Sequence, residues 1–275
     1  MFFKKKKLGL VLSGGGARGY AHIGILKVLD ELKIKPDYIA GTSMGAIIGA
    51  AYALGMSASE IEKKADELKL YKYLDPTIPK KGLIKGDKIL KLFEEIYQNK
   101  NFDETKIPLF VNAVDVETGK ELIFSEGSIA IAVRASMSIP GIFNPINVND
   151  YILVDGGLTN NIPLSLIKDK CDIIITSNVS NIYLPDADFL KNPKLIKEKE
   201  LPSLTRVLLK SMLILQSNPS NIQYAKENSD VYLSPNLKNI TTADFAKKNE
   251  IIAIGEKEAR IFKDKIEQLC KRSLF

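Results

Sequence analysis

The feature that most constrains this chain is a serine set between glycines in the pentapeptide Gly41-Thr42-Ser43-Met44-Gly45. The pattern G-x-S-x-G is typical of a nucleophile elbow, in which a strand turns sharply into a helix and presents the serine hydroxyl. Gly41 and Gly45 are expected there because the flanking backbones approach too closely for a Cβ atom. An apolar segment, Tyr38-Ile39-Ala40, precedes the motif and a small apolar run follows it. The sequence therefore predicts a strand–turn–helix unit with Ser43 as a candidate nucleophile.

The chain has a single histidine, His22, and it precedes the serine. In α/β-hydrolases an acid and then a histidine follow the nucleophile. Because no histidine follows Ser43, another group has to accept the proton from its hydroxyl. Asp155 is the candidate, since Asp155-Gly156-Gly157 ends an apolar strand and open α/β sheets place their sites at strand ends. The alternative is a turn aspartate that binds its own backbone, which is common in Asp-Gly sequences.

A glycine-rich loop, Gly14 to Gly19, joins the apolar strand Leu8 to Leu12 to a helical pattern. With Asp37 further along, it formally matches a dinucleotide-binding fingerprint. Two observations argue against nucleotide binding: Asp37 precedes the second strand instead of ending it, and that strand runs directly into the serine elbow. Clustered N–H groups at a helix N-terminus also attract developing negative charge. We therefore expect an oxyanion hole, with these contributors: the amides of Gly14, Gly15 and Gly16, and positive potential from Arg18.

The order of apolar segments predicts an α/β fold with a mainly parallel central sheet and helices on both faces. The chain has no internal repeat and no break in composition, so residues 1–275 are expected to form one domain. The motif-bearing core spans about residues 8–176 and a C-terminal helical part about 203–275. Within that part, the apolar helix from Leu204 to Gln216 is interpreted as core, with a membrane-contacting lid as the alternative. A last helix is expected from Thr242 to Cys270.

The chain carries a formal net charge of +6, much of it from Lys4 to Lys7 and from lysines between 191 and 199. These lysines indicate either a solvated surface or attraction to anionic lipid, at about 1 kcal/mol per lysine. Nucleic acid is not expected as a partner, because no basic stripe alternates with aromatic residues. Cys171 and Cys270 have no metal-type spacing and are expected to be free thiols in a reducing cytoplasm. No segment reaches the ~20 apolar residues of a membrane span, so we expect a cytoplasmic protein, peripheral at the inner membrane surface.

Four blocks occur in order along the chain: the glycine loop, the serine elbow, a Ser136-x-x-x-Pro140-x-x-Phe143 segment, and Asp-Gly-Gly. In this the chain resembles the patatin-like phospholipases, over roughly Leu8 to Ile175. The resemblance implies a three-layer α/β/α sandwich related to cytosolic phospholipase A2. It also implies these roles: Gly14 to Gly19 as oxyanion-hole element, Ser43 as nucleophile, Asp155 as partner in a Ser–Asp dyad supported by Gly156 and Gly157, and Ala135-Ser136 through Pro140 as a structural block. His22 is then expected to be structural.

The activity that the resemblance implies is hydrolysis of fatty-acyl esters of phospholipids or lysophospholipids through an acyl-enzyme, with no metal or organic cofactor. An aspartate has a reference pKa of about 3.9, so Asp155 needs a dry pocket to act as a base near neutral pH. One alternative is an esterase, thioesterase or acyltransferase acting on a soluble acyl donor. Another is a regulatory protein of the same fold with little turnover, against which the intact Ser43 and Asp155 argue. The acyl chain, head group and oligomeric state stay open from the sequence.

Overall fold

The computed structural model describes residues 6–68, 70–77, 82–181 and 204–271. Its strands are β1 (Leu8–Leu12), β2 (Tyr38–Gly41), β3 (Leu109–Asp115), β4 (Glu121–Phe124), β5 (Ile146–Val148), β6 (Tyr151–Asp155), β7 (Ile173–Ser177) and β8 (Val231–Leu233). They form one sheet in the order β5-β6-β3-β2-β1-β7-β8, with β4 paired to β3. Strand β1 therefore lies near the middle of the sheet, and all five of its residues are buried.

Helices cover this sheet. They are α1 (Ala21–Glu31), α2 (Met44–Ala53), α3 (Ala58–Glu67), α4 (Asp87–Ile96), α5 (Ile129–Ser136), α6 (Leu204–Gln216), α7 (Pro219–Glu227), α8 (Lys248–Ile261) and α9 (Lys263–Lys271). A short 3-10 turn, Gly16–Tyr20, leads into α1. Helix α3 begins with a complete capping box between Ser57 and Glu60, as its sequence favours.

The sheet is mixed and mainly parallel. Strand β1 pairs in parallel with β2 and β7, β2 with β3, and β7 with β8. Three pairs on one side are antiparallel: β3 with β4, β3 with β6, and β5 with β6. Adjacent residues of β1 enter clusters on opposite faces: Leu10 packs in the largest cluster, and Val11 packs with Ile162 and Leu164 in another. Both faces are therefore covered, as a three-layer α/β/α sandwich requires.

Strand β6 runs antiparallel to β3. The sequence analysis had placed Asp155 near Ser43 because both follow strands of an open α/β sheet, and this argument assumes parallel strands. Strand ends share an edge only in parallel pairs, and Asp155 lies in an antiparallel one. Register explains its position instead: Gly41 pairs with Val111, and Asp155 pairs with Ala113 two residues further along β3. The residue two beyond Gly41 is Ser43, so β6 ends level with the elbow. The sequence located Asp155 at the elbow, but for a reason that the topology does not support.

Several elements differ from the sequence-based expectation. Strands β5 and β8 and helix α7 were not predicted, and the two strands have only three residues each, too few for an alternating pattern to be recognised. The last helix begins at Lys248, not Thr242, and is interrupted at Phe262. The loop expected between Tyr183 and Pro202, and Lys4 and Lys5 of the basic N-terminal run, lie outside the described residues.

The interpretation of α6 as a core helix is wrong. Four large apolar side chains of this helix are strongly exposed: Val207, Leu208, Ile214 and Leu215. Its opposite side is turned inward, where Gln216 is buried. Helical periodicity alone did not separate a helix packed on all sides from one with an apolar outer face. None of the helices within the described ranges is long and apolar enough to cross a bilayer.

Candidate active site

Ser43 lies at a sharp turn between β2 and α2. Its backbone has φ 52° and ψ −120°, a conformation that non-glycine residues rarely adopt, and its side chain is buried. The turn is closed by a hydrogen bond from the Gly45 N–H to the Thr42 carbonyl (2.8 Å). A Cβ atom on Gly45 would lie 2.2 Å from the carbonyl oxygen of Leu12, so only glycine fits where α2 crosses β1. The structure therefore has the strained strand–turn–helix geometry that the motif predicts.

Asp155 is almost completely buried at the end of β6. Its Oδ1 accepts a hydrogen bond from the Gly157 N–H (2.7 Å), so the local turn that the sequence offered as an alternative is present. Burial raises the pKa of the carboxyl to about 6, although the Gly157 amide and the Ser43 hydroxyl each lower it. Oδ2 is buried and accepts no hydrogen bond from any described residue. The turn bond thus fixes one oxygen and leaves the other available for a proton.

The Ser43 hydroxyl influences Asp155 without a fully formed hydrogen bond to it. It is close enough to lower the pKa of the carboxyl, yet the described contacts contain no Ser43–Asp155 bond of ordinary geometry and Oδ2 has no partner. The two side chains are therefore adjacent but not tightly bonded. Catalytic hydrogen bonds are often long before substrate binds and tighten afterwards.

His22 is buried in α1, and both of its ring nitrogens are occupied. Nε2 lies 2.9 Å from the Ser13 carbonyl oxygen and Nδ1 lies 2.7 Å from the Ser177 hydroxyl. A carbonyl only accepts, so Nε2 carries the proton and Nδ1 accepts from Ser177. Burial lowers the pKa of His22 to about 4, which keeps the ring neutral. This arrangement matches the expected structural role and links α1 to β1 and β7.

Two amides of the glycine loop near Ser43 have no acceptor among the described residues. The Gly14 N–H donates to the Asn161 carbonyl (3.1 Å), so it is not available to an oxyanion, and this corrects the expectation for Gly14. The amides of Gly15 and Gly16 donate to no described group, and both residues line the same cavity as Ser43. Gly16 has φ +55°, and a Cβ there would lie 2.5 Å from the Thr242 carbonyl oxygen.

Arg18 contacts carbonyl oxygens from the C-terminal half of the chain. Its Nε donates to the Ile240 carbonyl (2.8 Å) and its Nη1 to the Asn181 carbonyl (2.9 Å). Arg18 is not among the residues that line the cavity beside Ser43. The expected contribution of Arg18 to the potential of an oxyanion hole is therefore replaced by a structural one, which holds the glycine loop against two later segments.

Two buried asparagines near the site were missed from the sequence. Asn112, in the middle of β3, donates to Glu121 Oε1 (2.8 Å) and to the Asn160 carbonyl (2.9 Å). Asn161 Nδ2 donates a long bond to the Gly14 carbonyl (3.4 Å), and its Oδ1 has no described partner. Asn112 could have been found, since a polar residue inside an apolar buried strand has to be hydrogen-bonded. Asn161 carried no comparable signal.

A cavity of about 460 Å³ opens beside Ser43. Its walls come from five helices and adjoining loops and are mostly apolar, with these representatives: Ile23 of α1, Ile47 and Ile48 of α2, Ile61 of α3, Leu92 and Phe93 of α4, and Met212 and Leu213 of α6. Lys64 is the one charged side chain among the described residues that line it, and Gln216 lies on the wall formed by α6. The volume is within the range of small-molecule sites, and the lining suits a long apolar group. Within the described ranges no cluster of residues suited to a metal ion is present.

The comparisons with known proteins agree with this fold. A family model described as patatin-like phospholipase matches residues 10–167, which contain the glycine loop, the elbow and Asp155. The chain belongs to the patatin-like phospholipase family. Among solved structures, VipD from Legionella pneumophila has the same fold, with a TM-score of 0.61 and 15% sequence identity, covering 95% of this chain and 67% of that one.

Two curated relatives show how the chain compares with longer proteins. It is 31% identical over 272 residues to an uncharacterized NTE family protein of Mycobacterium tuberculosis, covering 93% of this chain and 46% of the relative. It is 30% identical over 268 residues to the human patatin-like phospholipase domain-containing protein 6, covering 90% of this chain and 20% of that protein. The chain therefore spans about half or less of the length of these relatives.

Proposed function

We propose that this protein is a lipid acyl hydrolase that cleaves fatty-acyl ester bonds of phospholipids or lysophospholipids, with Ser43 as nucleophile and Asp155 as base. The observation that carries the proposal is the position of Ser43 at a strained elbow that opens into an apolar cavity of about 460 Å³. An apolar cavity binds an acyl chain by excluding water from it, at about 0.8 kcal/mol per buried CH₂ group. Family membership supports the same class of reaction.

The proposed reaction has two steps. Asp155 accepts the proton of the Ser43 hydroxyl, Oγ bonds to the acyl carbonyl carbon, and the ester bond breaks as the proton passes to the leaving alcohol. Water then attacks the acyl-enzyme with Asp155 again accepting a proton, which returns to Ser43 as the fatty acid leaves. The amides of Gly15 and Gly16 would stabilise the oxyanion in both steps, since they donate to no described group and line the cavity.

The environment of Asp155 suits this role. A carboxylate in water is a weak base, but burial raises the pKa of Asp155 to about 6, close to neutral pH. A base with a pKa near the working pH combines a useful ionised fraction with useful basicity. Its unpartnered Oδ2 can take a proton without breaking an existing bond. His22 is unsuited to the same task, because both of its nitrogens are bonded elsewhere.

We also propose that the protein works against a membrane surface. Helix α6 lines the cavity with Met212 and Leu213 and exposes Ile214 and Leu215 on its other side. A lipid surface that covers the outer side of α6 would lie next to the cavity, so a substrate could enter without passing through water. The net charge of +6 favours an anionic surface.

The experiment that tests the activity is a lipid profile of vesicles incubated with the protein. Fatty acids should be released from phospholipid or lysophospholipid vesicles, and Asp155→Asn should reduce release by the ~10²–10⁴ typical of general-base loss. Hydrolysis of short chromogenic esters with no release from vesicles would favour an enzyme acting on a soluble acyl donor. A folded protein that hydrolyses neither would favour the regulatory alternative.

Membrane contact is tested by sedimentation with vesicles rich in anionic lipid. The double variant Ile214→Ser/Leu215→Ser should bind less and lose vesicle hydrolysis, while it keeps hydrolysis of short esters. Ile261→Ser is a matched control, since Ile261 on α8 is 68% exposed, as much as Ile214 at 62%. Substitution of Lys4 to Lys7 by Ser, and high salt, should weaken the electrostatic part of binding. Equal vesicle binding by the α6 double variant and the unsubstituted protein would contradict the proposed role of this helix.

A further inference from the structure

The last residue of α5 and the turn after it contact the backbone of both proposed catalytic residues. The Ser43 N–H donates to the Oγ of Ser136 at 2.9 Å. Two residues further along, the Ser138 carbonyl accepts a hydrogen bond from the Asp155 N–H at 3.0 Å. Ser43 and Asp155 belong to β2–α2 and β6, which are not neighbours in the sheet. One short segment, Ser136 to Ser138, therefore connects the main chains of both residues.

This segment is itself held firmly. Ser136 and Ser138 are fully buried, and Arg134 is 3% exposed. Arg134 donates to the Ser138 hydroxyl through Nη1 and to the Gly86 carbonyl through Nε (3.1 Å), while the Ser138 hydroxyl donates to the Arg134 carbonyl (2.8 Å). Charge-assisted bonds of this kind are stronger than neutral ones. The segment is thus held in place on its own, and it provides the acceptors for the N–H groups of Ser43 and Asp155.

The bond to Ser43 is the more consequential one. Ser43 has φ 52°, and such a conformation persists only where the surroundings determine it. Its N–H is buried at the turn, and among the described contacts its acceptor is the Ser136 hydroxyl. Without that acceptor, the buried N–H would favour rotation of the peptide towards another partner, and the rotation would move the Ser43 Oγ.

We propose that Ser136 is a positioning residue, whose hydroxyl fixes the strained backbone of Ser43 and so sets the attack geometry of the nucleophile relative to Asp155. This inference rests on the proposed function, because it assigns Ser136 a task in the same reaction. It goes beyond the structural role expected for the Ala135-Ser136 to Pro140 block. Ser136 acts through the main chain of Ser43 and does not touch substrate.

The test measures how fast a fluorophosphonate labels Ser43 in variants of Ser136. A displacement of about 1 Å costs roughly 10²-fold in rate, so Ser136→Ala should label and turn over about 10–100-fold more slowly. The loss should fall on kcat with KM nearly unchanged, because Ser136 acts through the main chain of Ser43 and does not touch substrate. Ser128→Ala is the matched control: it removes the hydroxyl that caps the other end of α5 and should leave the rates unchanged.

A pair of isosteric variants separates the hydroxyl from packing. Ser136→Thr keeps the acceptor and should restore most of the labelling rate, whereas Ser136→Val has the same shape without it and should stay slow. This pair also carries the test if Ser136→Ala does not fold. Equal labelling rates for Ser136→Thr and Ser136→Val would overturn the proposal. A folded Ser136→Ala that is labelled within twofold of the rate of Ser128→Ala would also overturn it. Absence of labelling and hydrolysis in the unsubstituted protein would instead contradict the proposed function itself.

Discussion

The hydroxyl of Thr42 donates a hydrogen bond to Oδ1 of Asn112 at 2.8 Å, and both residues are fully buried. Thr42 precedes the nucleophile in the elbow, and Asn112 lies on β3 between the elbow and β6. The amide of Asn112 donates in turn to the carbonyl of Asn160, in the loop that follows Asp155. One asparagine therefore connects the strand turn that holds Ser43 with the loop that holds Asp155.

Loss of the bonds that Asn112 makes should lower the free energy of unfolding. Asn112→Ala removes the bonds to Thr42, Glu121 and Asn160, while the Thr42 hydroxyl still has the Asn160 carbonyl at 3.1 Å. We expect the loss of these bonds to lower the free energy of unfolding by about 1–3 kcal/mol. Thr42→Val should cost less, because it leaves only one acceptor unpaired. Denaturant unfolding of both single variants and the double variant should show a coupling energy above the ~0.5 kcal/mol of independent sites. The exposed Asn147 provides a control, Asn147→Ala, which should change stability little.

Asp155 should reduce stability at neutral pH. Its pKa is about 6 in the folded protein against 3.8 unfolded, so the folded state binds more protons between these values. Stability from this group is therefore present below pH 4 and falls as pH rises to about 6, by up to about 3 kcal/mol. Asp155→Asn should raise Tm at pH 7, with a smaller gain at pH 4, while it reduces ester hydrolysis by ~10²–10⁴. A variant that is less stable at pH 7 than the unsubstituted protein would contradict this account of the carboxyl.

The single histidine should have the opposite effect on stability. The pKa of His22 is about 4 in the folded protein against an ordinary value of 6.5, so the unfolded state binds more protons in this window. Stability from the neutral ring is present above pH 6.5 and is lost as pH falls towards 4. His22→Gln should remove this loss, and its activity should stay within about tenfold. Thermal unfolding at several pH values measures the slope; a slope that does not change in His22→Gln would refute the assignment.

Substitution of Gly15 by alanine is the most direct test of the proposed oxyanion hole. A Cβ atom at Gly15 would lie 2.7 Å from Cγ2 of Val179, so Gly15→Ala should push the loop and displace its amide. We expect kcat to fall by the equivalent of about 2–4 kcal/mol with a smaller change in KM. Val179→Ala in the same chain should make room and recover part of the rate. Gly119→Ala is the control: it has open space for the Cβ, and its φ of +70° strains the backbone of a turn away from the site, so kcat should not change. Saturable binding of NAD or ATP would instead support the rejected fingerprint.

The parts of the site that follow from local sequence were predictable. The elbow at Ser43 depends on its own glycines and on adjacent apolar segments, and the glycine loop was recognised from its own glycines between β1 and α1. Asp155 was identified from a strand end and from the family resemblance, but its approach to Ser43 depends on the register of β6 on β3. The register between two distant strands cannot be predicted from the sequence of either strand alone.

Other features depended on tertiary contacts that the sequence does not display. Arg18 was expected to face the oxyanion, but its partners are carbonyls of Ile240 and Asn181, more than 160 residues away. The Gly14 amide is occupied by Asn161 for the same reason. The exposed side of α6 was missed because an apolar helix that covers a cavity has the composition of a core helix.

The central claim is that Ser43 is the covalent nucleophile, and labelling by a fluorophosphonate followed by peptide mass spectrometry tests it most directly. The label should be found on Ser43 in the unsubstituted protein and be absent in Ser43→Ala. That variant should also lose ester hydrolysis while its thermal unfolding shows an intact fold. Labelling that persists in Ser43→Ala, or a label found on a different serine, would contradict the account.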